Sequence, residues 1–385
     1  MRKRALEAIN LRRVEELLLA GAPTSDEKLV ENLTGIKVHG KDQKEKMKAV
    51  FEALDVDLFY QLGVDLNVVW SDRKPRLIEG FFEELRKDFP FTDAFHVAYK
   101  NLRLRRTETA SQLWVVERPF KNYGELLNYL KNYDPREHEP RSTSEIADEY
   151  RRVFQDYQEL LGETTLYAGE FYLTLFTYLD IHIGLQMIAR LSRQNPDVLD
   201  ELISKYAQVA RKHVEAWSKT GIEVFVSHDD VAWRGGLFFP PEWFKKHIVK
   251  WWKHIWKPVK DKNIKLIFVS DGDYRGLMQD LVETGVDGFH VEWDPRFSRR
   301  DVETFLDKYG FDKIFLLHPS YEVLSRGSVS EAEEEARWFI ALARKYPSIF
   351  FAGTPPANPV NEEVFLRIWF SERYCEKLGS PDKPL

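Results

Sequence analysis

Short apolar runs of strand character alternate with amphipathic helical stretches along most of this chain, and that alternation limits the folds open to it. Eight runs read as strands: 65–71 (DLNVVWS), 95–99 (FHVAY), 164–170 (TTLYAGE), 222–228 (IEVFVSH), 264–271 (IKLIFVSD), 287–294 (DGFHVEWD), 313–319 (KIFLLHP) and 348–353 (SIFFAG). They are too short for buried helices and are rich in β-branched and aromatic residues. Between the later ones lie helical patterns such as PEWFKKHIVKWWKHIWKPV, YRGLMQDLVETG and SEAEEEARWFIALARKY. Gly285 and Gly310 stand where helices should end, and Pro241 and Ser330 stand near helix starts. Such alternation specifies a parallel sheet covered by helices. Eight strands without a composition break predict an α/β fold of the (β/α)8 TIM-barrel type, one domain over 1–385. Residues 1–60 read as an N-terminal helical extension, 103–118 as an inserted hairpin and 132–143 as a polar loop.

Composition removes several partners. The 385 residues are 43% apolar, enough for a sizeable core, and the net charge of −6 gives no reason to expect nucleic acid or an anionic membrane. The single cysteine, Cys375, excludes a disulfide framework and any multi-cysteine metal site, and it fits a reducing cytoplasm. The basic start, MRKRALEAINLRRVEELLLAGAP, is broken by charges at helical spacing, so it reads as an amphipathic helix of the mature protein. No apolar run reaches the ~20 residues of a membrane span.

In a parallel barrel the C-terminal strand ends face the pocket mouth. Those ends carry an unusual density of ionisable groups, with one tryptophan: Trp70, Asp72 and Arg73; His96 and Tyr99; Tyr167 and Glu170; His228, Asp229 and Asp230; Asp271 and Asp273; His290, Glu292 and Asp294; and His318. Chance placement would scatter them over helix faces. Structural readings compete for single residues. Asp230 can cap the following turn, Asp273 can cap YRGLMQDL, and the aromatic helix WFKKHIVKWWKHIW reads as core packing.

The order of segments resembles the uroporphyrinogen decarboxylase superfamily, which includes cobalamin-dependent methyltransferases. RKRALEAIN, FYQLGVDLNVVW, LYAGEFYLTLFTYLD, NPDVLDELISKYAQVARKHVEAWSKTGIEVFVSHDD, LVETGVDGFHVEWD and LSRGSVSEAEEEARWFIALARKYPSIFFAGTPPANPVNEEVF follow its pattern in sequence. DDVAWRGGLFFPPEWFKKHI looks closest to the methyltransferase-like branch. The resemblance implies a (β/α)8 barrel, a corrinoid (cobalamin) methyl carrier on a partner protein, and a homodimer. Thiol-activating members hold zinc through a His-x-Cys pair after strand five and a cysteine after strand eight. Here Val269, Asp271 and Thr354 take those places, so the thiolate site is gone. Oxygen ligands can still hold a divalent metal; Asp230, Asp271 and Glu292, with His228 or His318, would form it. The decarboxylase branch carries a W-x-M-R-Q-A-G-R-like segment. Trp70 and Arg73 of WSDRKPR match its offsets, Arg76 falls one residue short, and TPPANP replaces the glycine–histidine motif of the last loop.

The leading expectation is an enzyme moving a methyl group between a small methylated substrate and a corrinoid. Asp230, Asp271 and Glu292 would supply the proton or charge that the leaving heteroatom requires. Trp70, Arg73, Tyr167, His228, Asp229 and His318 would hold the substrate. Alternatives are decarboxylation of a porphyrinogen or related acid, glycoside hydrolysis between two carboxylates, and a non-catalytic binding protein.

Overall fold

The computed structural model describes residues 2–24, 26–41, 43–60, 77–78, 103–106, 113–291, 298–354 and 357–378. Nine strand segments build the barrel: β1 (Leu18–Leu19), β2 (Leu58–Phe59), β3 (Leu166–Tyr167), β4 (Gly169–Phe171), β5 (Val224–His228), β6 (Lys265–Val269), β7 (Gly288–Val291), β8 (Ile314–Leu317) and β9 (Ile349–Phe351). All pairings are parallel. β4, β5, β6, β7, β8, β9 and β1 form one sheet in that order. An Ala20–Leu58 bridge joins β1 to β2, and β2 pairs with β3, which runs on into β4 after Ala168. The ring is therefore closed, with β3 and β4 as one continuous staff.

Six of the eight expected strands fall at these positions. The segments 65–71 and 95–99 lie outside the described residues. Two members of the ring, β1 and β2, come from the stretch read as purely helical, 1–60. They alternate there with the helices Arg2–Ile9, Glu27–Thr34 and Gln43–Ala53. Two-residue strands inside LLLA and DLF are too short to show a period of two, and both are fully buried, so no apolar–polar alternation marks them. Arg103–Arg106 pairs antiparallel with Leu113–Glu117, and Leu77–Ile78 adds a third strand. Among the described residues no helix is long and apolar enough to cross a membrane.

Alternation along each strand sorts side chains into two cores. The inward set includes Leu18, Leu58, Leu166, Val224, Val226, Ile267, Ile314, Leu316 and Phe350, and Ala5, Ala8 and Ile9 of the first helix join it. The barrel is thus a packed interior, plugged at one end. The outward set, with Phe225, Phe268, Phe289, Phe315 and Phe351, packs under the helices. Each such buried side chain contributes about 1.5–3 kcal/mol. The aromatic helix belongs to this outer core: Trp252 and Trp256 are fully buried and stack at 5.5 Å.

The polar loop 132–143 is anchored rather than loose. Glu139 is buried and takes a fork from Arg141 at 2.8 and 2.6 Å. Burial alone would raise its pKa, but Arg141 and His213 pull it down to about 2.

Candidate functional site

Continuing the inward alternation by one step beyond the apolar layers gives Glu170 after Ala168, His228 after Val226, Asp271 after Val269, His290 after Gly288 and His318 after Leu316. The C-terminal end of the barrel is therefore a layer of carboxylates and imidazoles resting on hydrocarbon.

His228, at the end of β5, is the centre of the first group. Its Nε2 lies 2.9 Å from Asp230 Oδ1, and the same oxygen accepts the Asp271 N–H at 3.0 Å. The ligating atoms of His228, Asp230 and Asp271 all lie within 4.8 Å of one another. Burial alone would depress the His228 pKa. The adjoining Asp230 carboxylate, helped by Asp271 and Glu170, reverses this and raises it to about 9. Asp230 moves the other way: burial would raise its pKa, but His228 holds it below the ordinary carboxylate value. At neutral pH the pair is an imidazolium and a carboxylate. Tyr172 meets the His228 ring edge-on at 4.2 Å between centroids.

Backbone approach makes this convergence possible. Gly272 sits at φ +74°, where a Cβ would come within 2.5 Å of the Trp233 carbonyl. The Asp271 loop thereby presses onto the short hairpin Ala232–Trp233 with Gly236–Leu237, and Asp273 N–H reaches Trp233 O at 3.3 Å. Asp273 itself takes the structural role. It accepts the Arg275 N–H at 3.1 Å and pairs with the Arg275 guanidinium.

The second group is His290 with His318, at the ends of β7 and β8. Their Nε2 atoms are 2.8 Å apart, and His318 Nδ1 lies 2.8 Å from the Gly353 carbonyl. A carbonyl only accepts, so His318 Nδ1 carries the proton. Burial lowers both pKa values; His318 and His228 depress His290 further, while Gly353 and Asp271 partly offset the fall at His318. Both rings are neutral.

Two expected substrate ligands lie elsewhere. Tyr167 points outward from β3, is 3% exposed and stacks on Tyr157 at 5.0 Å and 7° beneath the helices. Asp229, one residue from Asp230, also faces outward. Its Oδ1 accepts the Thr177 N–H at 2.7 Å and its Oδ2 the Trp252 indole N–H at 2.8 Å. Both are corrections of the sequence reading, and the cause is the strand period: neighbouring residues cannot share a face. Burial raises the Asp229 pKa, opposed by Thr177, Trp252 and the first amides of the helix Phe176–Ile183. Asp229→Ala is expected to cost roughly 1.5–3 kcal/mol, read as a lower denaturation midpoint. Trp70, Arg73 and Glu292 lie outside the described residues.

Three contributors were not foreseen. Thr177 Oγ1 accepts the Asp230 N–H at 2.5 Å. Tyr60 faces His290 edge-on at 6.0 Å. Asp180, one turn after Thr177, is pushed up to about 6 by burial and further by Asp230, against Arg118 and the Leu185 N–H. The i, i+3 spacing of Thr177 and Asp180 after a strand end was the available signal.

An eight-stranded parallel barrel with ionisable groups gathered over its C-terminal strand ends has the layout of an α/β-barrel enzyme. The family model for uroporphyrinogen decarboxylase matches residues 172–317, which span β5 to β8, the His228, Asp230 and Asp271 group and His290, and end one residue before His318. In fold, the chain is similar to a methyltransferase from Methanosarcina mazei, with a TM-score of 0.59 at 14% identity over 96% of this chain and 97% of that one. Together these support the resemblance to the uroporphyrinogen decarboxylase and methyltransferase-like superfamily. A sugar phosphate isomerase/epimerase from Parabacteroides distasonis is more distant, with a TM-score of 0.30 at 11% identity over 57% of this chain and 75% of that one. Among curated proteins none matches.

Proposed function

We propose that the barrel mouth transfers a methyl group from a small methylated substrate to a corrinoid carried by a partner protein. The supporting observation is the meeting of His228, Asp230 and Asp271 within 4.8 Å over the packed barrel core. A heteroatom losing a methyl group leaves poorly as an anion and needs a proton or positive charge at that moment. His228 holds a proton on Nε2 against Asp230, and Asp271 and Thr177 fix Asp230 by backbone–side-chain bonds. The proton that His228 Nε2 holds against Asp230 passes to the leaving heteroatom through the Asp230 carboxylate, the more exposed partner, and leaves the imidazole neutral. Asp180, pushed up to about 6 by burial and by the Asp230 charge, adds a second group that titrates near neutrality. A corrinoid, when docked, supplies the nucleophile that takes the methyl group. The lower layers of the barrel are filled with side chains while Asp271 at the rim is exposed, which fits an acceptor presented from outside.

The donor set also suits a divalent cation, held by one nitrogen of His228 and oxygens of Asp230 and Asp271, which would supply the same charge as a Lewis acid. Decarboxylation is the second reading, favoured by the family match over 172–317. There the same imidazolium would protonate the carbon that loses carbon dioxide.

The test offers the protein cob(I)alamin together with methoxy, methylamino and methylthio compounds, and follows methylcobalamin by absorbance. Methylation that requires both protein and donor is the expected result. No methylation from any donor, with carbon dioxide released from a porphyrinogen, would replace methyl transfer by the second reading.

A further inference from the structure

We propose that Trp233 and Arg234, on the tight turn beside the barrel mouth, bind a flat anionic small molecule: an aromatic ring that carries a carboxylate or a phosphate. The inference deepens the methyl-transfer reading by naming the class of its methyl donor, an aryl methyl ether or methylamine with an anionic substituent. It rests on that reading only for the methyl group.

The turn presents both side chains from a fixed backbone. Ala232–Trp233 pairs antiparallel with Gly236–Leu237, which leaves Arg234 and Gly235 as a two-residue turn just after Asp230. The Asp271 loop braces it, since a Cβ on Gly272 would come within 2.5 Å of the Trp233 backbone. The Trp233 indole lies over Gly235, where a Cβ would stand 2.0 Å from the ring. Backbone therefore covers one part of the indole. Trp233 is nevertheless 58% exposed, more than any other large apolar residue among those described. An indole already held in place loses little conformational freedom when a second ring stacks on it.

Arg234 reaches away from its own strand. Its guanidinium stands 5.7 Å from the centroid of the Tyr321 ring, so it runs from the end of β5 to the end of β8, which β6 and β7 separate. Tyr321 opens the helix Tyr321–Arg326 just past His318, and the buried Glu335 accepts the preceding Ser320 N–H at 2.8 Å. Arg234 is exposed and has no ion pair or hydrogen bond among the described residues. Glu170, Asp230 and Asp271 crowd the same strand ends, yet none of them takes this cation. A guanidinium stacked on a ring keeps its N–H edge free, and that edge matches a carboxylate or phosphate through two parallel bonds. An unclaimed cation next to an open aromatic face, beside a proton-holding pair, is suited to a ring bearing an oxyanion.

The experiment measures binding to the full chain by calorimetry with 4-methoxybenzoate, 4-methoxyphenyl phosphate, methoxybenzene and cyclohexanecarboxylate. The expected result is one equivalent of an aromatic anion, the tighter of the two identifying the charged group. Methoxybenzene should bind at least about tenfold more weakly, and cyclohexanecarboxylate at least about threefold. Arg234→Gln should weaken binding of the aromatic anion about tenfold or more, and Trp233→Ala about threefold or more. Circular dichroism reports whether each variant is folded. The site does not exist if the wild-type chain binds neither aromatic anion, or binds methoxybenzene or cyclohexanecarboxylate as tightly. The same holds if either folded variant binds unchanged. Because calorimetry needs no corrinoid, an aromatic anion that binds here without methylating cob(I)alamin leaves the site standing and removes the methyl-transfer reading. Methylation confined to uncharged donors without a ring would keep that reading and overturn the substrate class.

Discussion

Replacing Asp57 by alanine is expected to remove roughly 3–5 kcal/mol of unfolding free energy, the largest stability loss predicted for this chain. Asp57 is fully buried just ahead of β2, and two guanidiniums converge on it. Arg4 Nε reaches Oδ1 at 2.6 Å, Arg373 Nη2 reaches Oδ2 at 3.0 Å, and the Leu19 N–H donates to Oδ2 at 2.9 Å. One carboxylate thus ties the first helix, β1, β2 and the last helix, Pro359–Leu378, at the plugged end of the barrel. The Arg373 side chain is 1% exposed and also bonds the carbonyls of Leu17 and Asp55. Removing the carboxylate strands two positive charges in a low-dielectric site, which costs far more than the pair contributed. Asp57→Asn keeps some hydrogen bonds and should lose less. The measure is chemical denaturation followed by far-ultraviolet circular dichroism. A midpoint for Asp57→Ala within error of wild type would show that the ring closes without this pair.

The largest expected effect on activity belongs to the His228–Asp230 pair. Asp230→Asn is expected to slow the proposed methyl transfer about 10²–10⁴-fold, the range for losing a positioned proton donor, with the fold kept. The pH profile separates this role from a packing defect. In the wild type the His228 pKa is raised to about 9, so activity should hold through neutrality and fall as pH rises through about 9. Without the Asp230 charge, burial dominates and the His228 pKa drops, so the alkaline fall should move to lower pH. The same pair contributes to stability. A folded-state pKa above the ordinary 6.5 gives stabilisation that is complete below 6.5 and lost between there and about 9. Thermal melts across that window should therefore show a decline in the wild type that Asp230→Asn lacks. An alkaline limb that stays fixed in the variant would remove His228 as the proton donor.

Alternation of strand and helix was enough to specify the barrel, because burial on both faces of a parallel strand forces apolar runs that a sequence displays openly. The ends of those runs likewise displayed where polar groups would gather. Local sequence could not say which parity faces inward. His228 and Asp230 turn to the mouth while Asp229 between them is claimed by Thr177 and Trp252, and Tyr167 stacks on Tyr157 rather than on a substrate. Register against neighbouring strands fixes that parity, and register is a property of the assembled sheet. The same holds for β1 and β2, which are too short to announce themselves and become strands only because the ring must close. The facing of His290 and His318 across 28 residues was equally a decision of the tertiary structure. The sequence alone determined the fold class and the chemical stock of the mouth. Only the closed barrel, by setting which side of each strand meets the axis, decided which of those groups can act together.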